Sequence, residues 1–307
     1  MNKHISKFVV ALGIFAAGII GLNRVDDAAA EVISLQVVPS YFQLDLKPGE
    51  VYNGTFTVLN DGSGDVNLST STSPYSAKND ADGNYEVSFD KESEYSMITG
   101  WTSINDDNVV IKKGESAEVN FSITVPADAP GGGQYEFISV TSSSGTGSDA
   151  VSIGQNATIG TIIYAKVAGD TRRSGSIITN NIRGFSFTPP ISVDTTVENT
   201  GNVHTNASYI LRVYPFFGGE SLYNNEDNPA EQTLLPGTKR HYVSSWENAP
   251  SIGIYKVQSE VRIFDDISKA EKIVIICPMW VLILIVVFIA AVVFWFISRA
   301  KSRKSAA

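Results

Sequence analysis

The stretch Ala117-Glu118-Val119-Asn120-Phe121-Ser122-Ile123-Thr124-Val125 decides the fold class. Its apolar and polar residues alternate without a break, which is the period of a β-strand with one buried face. Residues 255–263 alternate in the same way, and the segments between such stretches are rich in Gly, Pro and Asn. The sequence therefore predicts an all-β protein whose short strands pack as sandwiches.

Two sets of signals occur twice, which indicates duplication of one module. The first set is Val58-Leu59-Asn60-Asp61-Gly62, matched by Val197-Glu198-Asn199-Thr200-Gly201. The second is Gly114, Ala129-Pro130, Gly133 and Tyr135, matched by Gly237, Ala249-Pro250, Gly253 and Tyr255. We expect each Asn-x-Gly turn to use positive φ. We expect each Tyr to open a strand and face the core.

These patterns predict two tandem immunoglobulin-like β-sandwich modules followed by one transmembrane helix. The predicted organisation is a signal peptide (1–30), a first sandwich (31–170), a second sandwich (171–276), a transmembrane helix (277–297) and a basic tail (298–307). Residues 157–167 are interpreted as the last strand of the first sandwich, after a Ser- and Gly-rich loop.

The N-terminus has the pattern of a secretory signal. Lys3 and Lys7 precede an apolar run over residues 8–22, and Ala28-Ala29-Ala30 offers small residues for cleavage before Glu31. The alternative is an uncleaved N-terminal anchor, but the run is short for a membrane span. We therefore expect the mature chain to start at Glu31.

The C-terminus has the pattern of a membrane span. Residues 273–297 carry no charge and are followed by Arg299, Lys301, Arg303 and Lys304. Pro278 suits the first turn of a helix, and Trp280 and Trp295 then fall near the two bilayer interfaces. Residues 270–276, which end in four β-branched residues at 273–276, are interpreted as a last strand that leads directly into this helix. The basic tail predicts a single-pass type I protein of the cell membrane, with the sandwiches outside and the tail in the cytoplasm.

Composition and charge restrict the partners. The chain is 43% hydrophobic and 10% aromatic, which are ordinary values for folded domains. Its one cysteine, Cys277, leaves the expected ectodomain without a disulfide. Residues 31–170 contain 6 basic and 19 acidic residues, and residues 171–272 contain 10 and 11. This acidic balance disfavours nucleic acid and other polyanions as partners.

The chain resembles the bacterial WxL-interacting surface proteins over nearly its whole length. The segments that carry the resemblance are Lys47-Pro48-Gly49, the turn at Asn60, Trp101 before Lys112-Lys113-Gly114-Glu115-Ser116, Val125-Pro126-Ala127-Asp128-Ala129-Pro130 with Tyr135, and the C-terminal helix with its basic tail. The resemblance implies that the membrane-distal module binds peptidoglycan and that the proximal one contacts surface or host proteins. No ligand-contacting residue can be carried over.

Catalytic patterns are missing from the sequence. His204 and His241 are the histidines of the expected mature chain, and neither lies in a zinc or nucleophile motif. The segment Asp80-Ala81-Asp82-Gly83-Asn84 has the start of a calcium loop, but a hairpin turn is the favoured interpretation. We therefore expect no enzyme activity, no catalytic residues, no metal and no cofactor.

One aromatic loop is a candidate binding patch. Tyr214-Pro215-Phe216-Phe217-Gly218-Gly219 brings Phe216 and Phe217 together, with Tyr223 beyond them. If these rings are exposed they form an apolar anchor, and the alternative is core packing at a strand end. Replacement of Phe216 and Phe217 by Ser is predicted to weaken partner capture without unfolding the module.

The sequence thus predicts a membrane-tethered bacterial surface protein that binds cell-wall peptidoglycan, another surface protein, or both. The alternative is an accessory scaffold subunit of an exported or membrane-embedded complex. An edge strand that pairs with a partner is compatible with either function.

Overall fold

The computed structural model describes residues 33–81, 83–105, 108–144 and 157–304. The predicted signal peptide at residues 1–30 lies outside the described residues.

Alternating sequence produces the strands of the first sandwich. The alternating stretch at residues 117–125 forms a strand over Ser116–Thr124, and its apolar residues Val119, Phe121 and Ile123 are fully buried. The strands of this half are β1 (Leu35–Val38), β2 (Tyr41–Leu46), β3 (Val51–Asn60), β4 (Val66–Pro74), β5 (Ser76–Asn79), β6 (Tyr85–Ser88), β7 (Thr102–Ile104), β8 (Asn108–Ile111), β9 (Ser116–Thr124), β10 (Gly132–Ser144) and β11 (Thr158–Val167), with a 3₁₀ helix at Met97–Gly100.

The second half repeats this all-β construction. Its strands are β12 (Gly175–Ile182), β13 (Phe185–Ser186), β14 (Ile191–Asn199), β15 (Thr205–Pro215), β16 (Tyr223–Asn224), β17 (Ala230–Leu234), β18 (Lys239–Trp246), β19 (Gly253–Ile263) and β20 (Asp266–Ile276). The predicted strand at 255–263 is confirmed as part of β19, and the predicted final strand is confirmed as the end of β20.

Each half consists of two sheets that enclose an apolar core. In the first, the order β1-β3-β9-β7 faces the order β2-β11-β10-β4-β8, while β5 and β6 form a separate hairpin. In the second, β12-β14-β18 faces β13-β20-β19-β15-β16, and β17 also pairs with β15. The cores contain side chains from both facing sheets, for example Phe56 and Ile138 in the first sandwich and Val193 and Val257 in the second. The predicted all-β, immunoglobulin-like fold class is confirmed.

The two sandwiches begin in the same way. β1 runs antiparallel to β3 in one sheet, and the chain then crosses so that β2 runs parallel to β11 in the other. In the second sandwich β12 runs antiparallel to β14, and β13 runs parallel to β20. This shared crossing, found independently of the sequence signals, indicates duplication of one module.

The repeated Asn-x-Gly signals build identical hydrogen-bond networks, but not for the reason that the sequence suggested. Asn60 donates from Nδ2 to the carbonyls of Gly64 (2.8 Å) and Ile111 (3.1 Å), and its Oδ1 accepts from the Gly62 N–H (3.0 Å). Its partner network has the same geometry: the Asn199 side chain bonds the Val203 carbonyl (2.8 Å), the Leu234 carbonyl (3.1 Å) and the Gly201 N–H (2.9 Å).

Both asparagines are fully buried, and neither they nor the glycines at Gly62 and Gly201 have positive φ. The expectation of positive φ at these turns is therefore wrong. The amide is needed because it satisfies backbone groups of its own turn and of one distant segment, which would otherwise be buried without partners.

The repeated Gly-x-Tyr signals also have a packing cause. A Cβ at Gly133 would overlap the Tyr135 hydroxyl, and one at Gly253 would overlap the Tyr255 hydroxyl. Each Tyr ring therefore folds back over the Gly two residues before it, which requires a residue without a side chain there. Tyr255 packs in the core as predicted, whereas Tyr135 packs in a separate aromatic cluster between the sandwiches.

The last strand leads almost directly into helix α1 (Met279–Lys304), with only Cys277 and Pro278 between Ile276 and Met279. Within α1, Met279–Ile297 is long and apolar enough to cross a membrane, and none of it is buried in the rest of the described structure. Trp280 and Trp295 are both exposed, near the two ends of this segment.

Candidate binding cleft between the two sandwiches

The two sandwiches are joined by a short connection at residues 168–174 that is pinned by one side chain. Asn202, at the turn after β14, accepts the Arg172 N–H on Oδ1 (2.6 Å) and donates from Nδ2 to the Asp170 carbonyl (2.8 Å). Its own carbonyl accepts the N–H of Gly133 in the first sandwich at 2.7 Å. Asn202 therefore binds the linker and both sandwiches at one point.

Aromatic rings fill the rest of the junction. Tyr75, Tyr135 and Tyr164 of the first sandwich form a buried cluster with Leu235 of the second. The His204 ring lies against this cluster, with centroid distances of 5.5 Å to Tyr135 and 5.3 Å to Tyr164. Burial of these rings on both sides of the junction disfavours hinge motion between the sandwiches.

Polar contacts at a second point hold the same junction. Asn79 in the β5–β6 hairpin forms two 2.7 Å hydrogen bonds with the backbone N–H and carbonyl of Lys239. The Arg240 guanidinium lies 4.4 Å from the Tyr85 ring centroid. Burial raises the pKa of the Tyr85 hydroxyl to about 12, so this ring is neutral at physiological pH.

His204 is buried and uncharged at neutral pH. The pKa of His204 is lowered to about 4. Burial is the larger cause, because it disfavours the charged imidazolium, and the positive charge of Lys166 lowers the pKa further. The Nδ1 atom of His204 has no hydrogen-bond partner among the described residues. Protonation would place a charge against the buried rings of Tyr135 and Tyr164, so the stability of the junction should depend on pH.

Beside His204, an open cleft of about 540 Å³ separates the sandwiches. The first sandwich contributes the end of β2 and the end of β11, and the second contributes the turns after β14 and β19. The lining residues are Gln43, Asp45, Leu46, Lys47, Lys166, Val167, Ala168, Thr171, Arg173, Val203, His204, Thr205, Asn206 and Phe264.

The cleft is cationic although the surrounding protein is acidic. Lys47, Lys166 and Arg173 line it, and Asp45 is its one acidic residue. All four side chains are exposed, and no residue of the described structure forms an ion pair with any of the three cations. Two of the 6 basic residues of segment 31–170 lie here, so the charge is concentrated rather than scattered.

Phe264 forms one wall of the cleft in an unusual conformation. It is the first residue of the two-residue connection between β19 and β20, and its φ of 50° is the one positive φ of a non-glycine residue in the described structure. A bulky residue costs about 1–3 kcal/mol in such a conformation. The ring packs on the core near Val261 and lies 5.7 Å from the Arg173 guanidinium carbon, so it supports that cation.

A second buried ionisable group lies in the first sandwich, outside the cleft. Glu136 on β10 accepts a 2.6 Å hydrogen bond from the Thr102 hydroxyl on Oε1, while Oε2 has no partner among the described residues. Burial raises the pKa of this carboxyl to about 8, opposed only by the Thr102 hydrogen bond. Glu136 is therefore mostly protonated at neutral pH.

The structure divides the predicted aromatic patch. Phe216 and Phe217 follow β15 with centroids 5.0 Å apart, and they are 42% and 94% exposed. Tyr223 on β16 is half-buried and stacks on Trp246 at 6.1 Å, against the core of the second sandwich. The loop thus presents two adjacent phenyl rings to solvent, and Tyr223 supports the module beneath them.

No local pattern in the sequence indicates the cleft residues. Lys47, Lys166, Arg173 and His204 belong to no shared motif, and only the packing of one sandwich on the other brings them together. The one indication in the sequence is that basic residues are scarce between 31 and 170, so each of them is a candidate for a specific role.

Known proteins resemble this chain in structure but do not assign it to a family. The sequence matches no protein-family model and no curated protein. Among solved structures, the class 5 fimbriae chaperone CfaA is 12% identical, with 78% of this chain and 99% of that chain covered and a TM-score of 0.39.

A chain of the Salmonella enterica SafA pilin–SafB chaperone complex is 9% identical, with 80% and 98% covered and a TM-score of 0.38. The E. coli chaperone DraB is 10% identical, with 78% and 97% covered and a TM-score of 0.36. At these values the similarity carries no conclusion about what this chain binds.

Proposed function

We propose that this chain is a membrane-tethered bacterial surface protein that works by binding, and that the cleft between its sandwiches receives a carboxylate-bearing ligand. The ligand proposed is the stem peptide of cell-wall peptidoglycan. The observation that carries the proposal is the group of three unpaired cations, Lys47, Lys166 and Arg173, around one cleft of an acidic protein.

Charge argues for an anionic ligand. Three cations and the single Asp45 carboxylate line the cleft, so its balance is positive. An isolated cluster of like charges destabilises a fold slightly unless an opposite charge neutralises it. A carboxylate about 4 Å from one cation gains roughly 1 kcal/mol in water and about 4 kcal/mol in the partly screened surroundings of a protein surface.

Shape argues for a small or extended ligand. The cleft volume of about 540 Å³ is within the usual range for ligand sites, which is about 300–1,000 Å³. Leu46, Val167 and Phe264 supply apolar contacts beside the cations. A short peptide with a free carboxylate suits such a lining, and stem peptides have that chemistry. The resemblance to WxL-interacting surface proteins supports the same ligand class.

Attachment to the membrane is the second part of the proposal. The segment Met279–Ile297 spans the bilayer, and the basic residues that follow it stay in the cytoplasm. The sandwiches then lie outside the membrane, where cell-wall polymer is available. The rigid junction at Asn202 holds the cleft in one shape, which lowers the entropic cost of binding.

The test is co-sedimentation of the purified full-length protein, in detergent, with insoluble peptidoglycan stripped of teichoic acid. We expect saturable retention that weakens at high salt, because exposed charges are screened. The double variant Lys166→Glu/Arg173→Glu should reduce apparent affinity at least about ten-fold, equivalent to about 1.4 kcal/mol.

Lys113→Glu is the matched control. Lys113 is also an exposed lysine of the first sandwich. It lies near the Asn60 end of β3, whereas the cleft residue Lys47 lies near the Val51 end. A strand of 10 residues separates the two ends, which is roughly 34 Å. Equal loss in both variants would attribute retention to overall charge and contradict a cleft site.

The same chemistry fits one other partner, the C-terminal carboxylate of a surface protein. In that case the wild-type protein would not sediment with peptidoglycan, but would bind peptides with a free C-terminus and lose them in the cleft variant. That outcome would favour the alternative function of an accessory scaffold subunit.

A further inference from the structure

Exposed apolar side chains of the second sandwich concentrate at one end. Strand direction shows which end this is: β20 runs toward α1, β13 is parallel to it, and Gly253 at the start of β19 pairs with Ile276. Pro215 at the end of β15 pairs with Tyr255, so the loop after β15 is at the same end. The loops after β13, β15 and β18 therefore all face the start of the helix.

Each of these three loops carries exposed large apolar residues. Phe187 follows β13 and is 44% exposed, Phe217 follows β15 and is 94% exposed, and Ile252 precedes β19 and is 52% exposed. Phe216 and Leu222 in the loop after β15 are also exposed. Exposed single apolar residues are common, but a cluster at the tips of neighbouring loops indicates an interaction surface.

The outer face of the sheet continues this apolar surface. Phe185, Ile275 and Ile254 are cross-strand neighbours on β13, β20 and β19, and all three are at least 40% exposed. The Phe216 N–H donates to the Ile254 carbonyl at 3.3 Å and so connects the row to the loop that follows β15. Ile273 lies one outward position farther from the helix and is 51% exposed.

Farther from the helix the same face becomes charged. Gln258 and Glu271 form the next outward pair with a 2.7 Å hydrogen bond, and Glu260 pairs with Lys269 at 3.3 Å. Burial opposes ionisation of Glu260, but Arg262 and Lys269 hold its pKa below the usual range. The sheet is therefore polar over most of its length and apolar where it approaches α1.

The occupant of this surface follows from the length of the connection. Four residues lead from Ile275 to Met279, a path of at most about 14 Å. The polar interface on each side of a bilayer is roughly 5–7 Å thick. Loops that extend past the strand ends toward the helix start therefore reach the interface. A two-residue connection leaves little freedom for the sandwich to stand away from it.

We infer that the end of the second sandwich formed by Phe187, Phe216, Phe217, Leu222, Ile252 and the row beside Ile275 inserts into the interfacial layer of the membrane. The occupant is the lipid surface itself. This inference rests on the proposed membrane attachment and adds that the protein has a fixed orientation, with the sheet end embedded and the cleft held away from the bilayer. Glu220 and Glu247 at the same end limit insertion to the headgroup region.

The test is a depth measurement by spin labelling in the full-length protein reconstituted in phospholipid nanodiscs. Cys277→Ser removes the one native cysteine, and single cysteines are then introduced as Phe217→Cys, Ile252→Cys, Ile267→Cys and Val287→Cys. Ile267 is the matched control, because it is an exposed isoleucine at the far end of β20. Val287 lies within the membrane-spanning segment.

The measurement at each labelled position is the rate at which the spin label collides with oxygen, which concentrates in lipid, relative to the rate at which it collides with a water-soluble nickel complex. We expect the oxygen-to-nickel ratio at positions 217 and 252 to be several-fold above that at 267 and to approach that at 287. Ratios at 217 and 252 equal to that at 267, with a lipid ratio at 287, would overturn the inference and leave membrane attachment intact.

Two other outcomes would also overturn it. Dipolar broadening of the spectrum at position 217 by the label of a second molecule would mean that protein rather than lipid covers the surface. Shielding of this label from both oxygen and the nickel complex would mean the same. An aqueous ratio at 287 would mean that the helix is not in the bilayer, in which case the proposed membrane attachment fails as well. Cooperative unfolding of each labelled protein establishes that the substitutions leave the sandwich folded.

Discussion

Replacement of His204 by Gln is expected to remove a pH-dependent weakness of the junction. In the folded protein the His204 pKa is about 4, compared with 6.5 for an exposed histidine. The unfolded chain therefore binds more protons than the folded one between these two values, so stability falls as pH drops through this window. Above about pH 7 the imidazole is neutral in both states and the effect vanishes.

The magnitude follows from the two pKa values. At pH 5 the unfolded histidine is almost fully protonated and the folded one is almost fully neutral, which costs the folded state about 2 kcal/mol. The Tyr135 and Tyr164 rings lie against His204 and bury it, and the Lys166 cation opposes its protonation.

The assay is urea unfolding of the full-length protein in detergent at pH 7 and pH 5, followed by tryptophan fluorescence. The loss of stability between the two pH values should be about 2 kcal/mol larger for the wild-type protein than for His204→Gln. Glu136 titrates in both proteins, so its contribution cancels in this comparison.

His241→Gln is the control, because His241 is exposed on β18 and lies 3.7 Å from Asp194 on the neighbouring strand β14. Because the buried His204 is still present in this variant, the pH dependence that His204 causes should remain. An equal pH dependence in the wild-type protein and His204→Gln would refute the reasoning about the buried histidine.

Three further predictions concern the sandwiches. Glu136→Gln should flatten a pH dependence whose sign is opposite to that of His204. Because the folded pKa of Glu136 is about 8, stability is lost as pH rises from 4.5 to 8, by up to about 1.4 kcal/mol per pH unit. Urea unfolding of both proteins at pH 5 and pH 8 measures this loss. Asn199→Ala should lower stability by about 2–4 kcal/mol in urea unfolding, because it leaves two carbonyls and one N–H of the second sandwich without their partner; a loss below about 1 kcal/mol would contradict the network. Phe216→Ser/Phe217→Ser should leave cooperative thermal unfolding intact and change stability by less than about 1 kcal/mol, since Phe217 is 94% exposed; loss of the cooperative transition would mean that these rings belong to the core.

Local patterns predicted much of the fold. The alternation in residues 117–125 and 255–263 predicted β9 and β19, because a half-buried strand imposes a period of two on its own sequence. The recurrence of the Asn60 signal at Asn199 predicted duplication of one module, which agrees with the strand crossing that the two sandwiches share. These signals gave the wrong mechanism, because the hydrogen bond from the buried amide to a distant segment is a tertiary feature that no turn statistic contains.

The candidate site was far less predictable. Lys47 and Lys166 are neighbours only because β2 pairs in parallel with the last strand of its sandwich, and Arg173 joins them only because the linker is held by Asn202. The aromatic loop was visible in the sequence, but exposure of Phe217 and burial of Tyr223 depend on the β15–β16 pairing. Properties that arise from contacts between modules leave no local pattern.

The most direct test of the proposed cleft is calorimetric titration of the full-length protein with a soluble stem peptide, compared with the same peptide whose carboxylates are amidated. We expect amidation, or Lys166→Glu/Arg173→Glu with the unmodified peptide, to weaken binding at least about ten-fold, and the two changes together to add little more. Equal affinity for both peptides in the wild-type protein would contradict the claim that the cleft recognises a carboxylate.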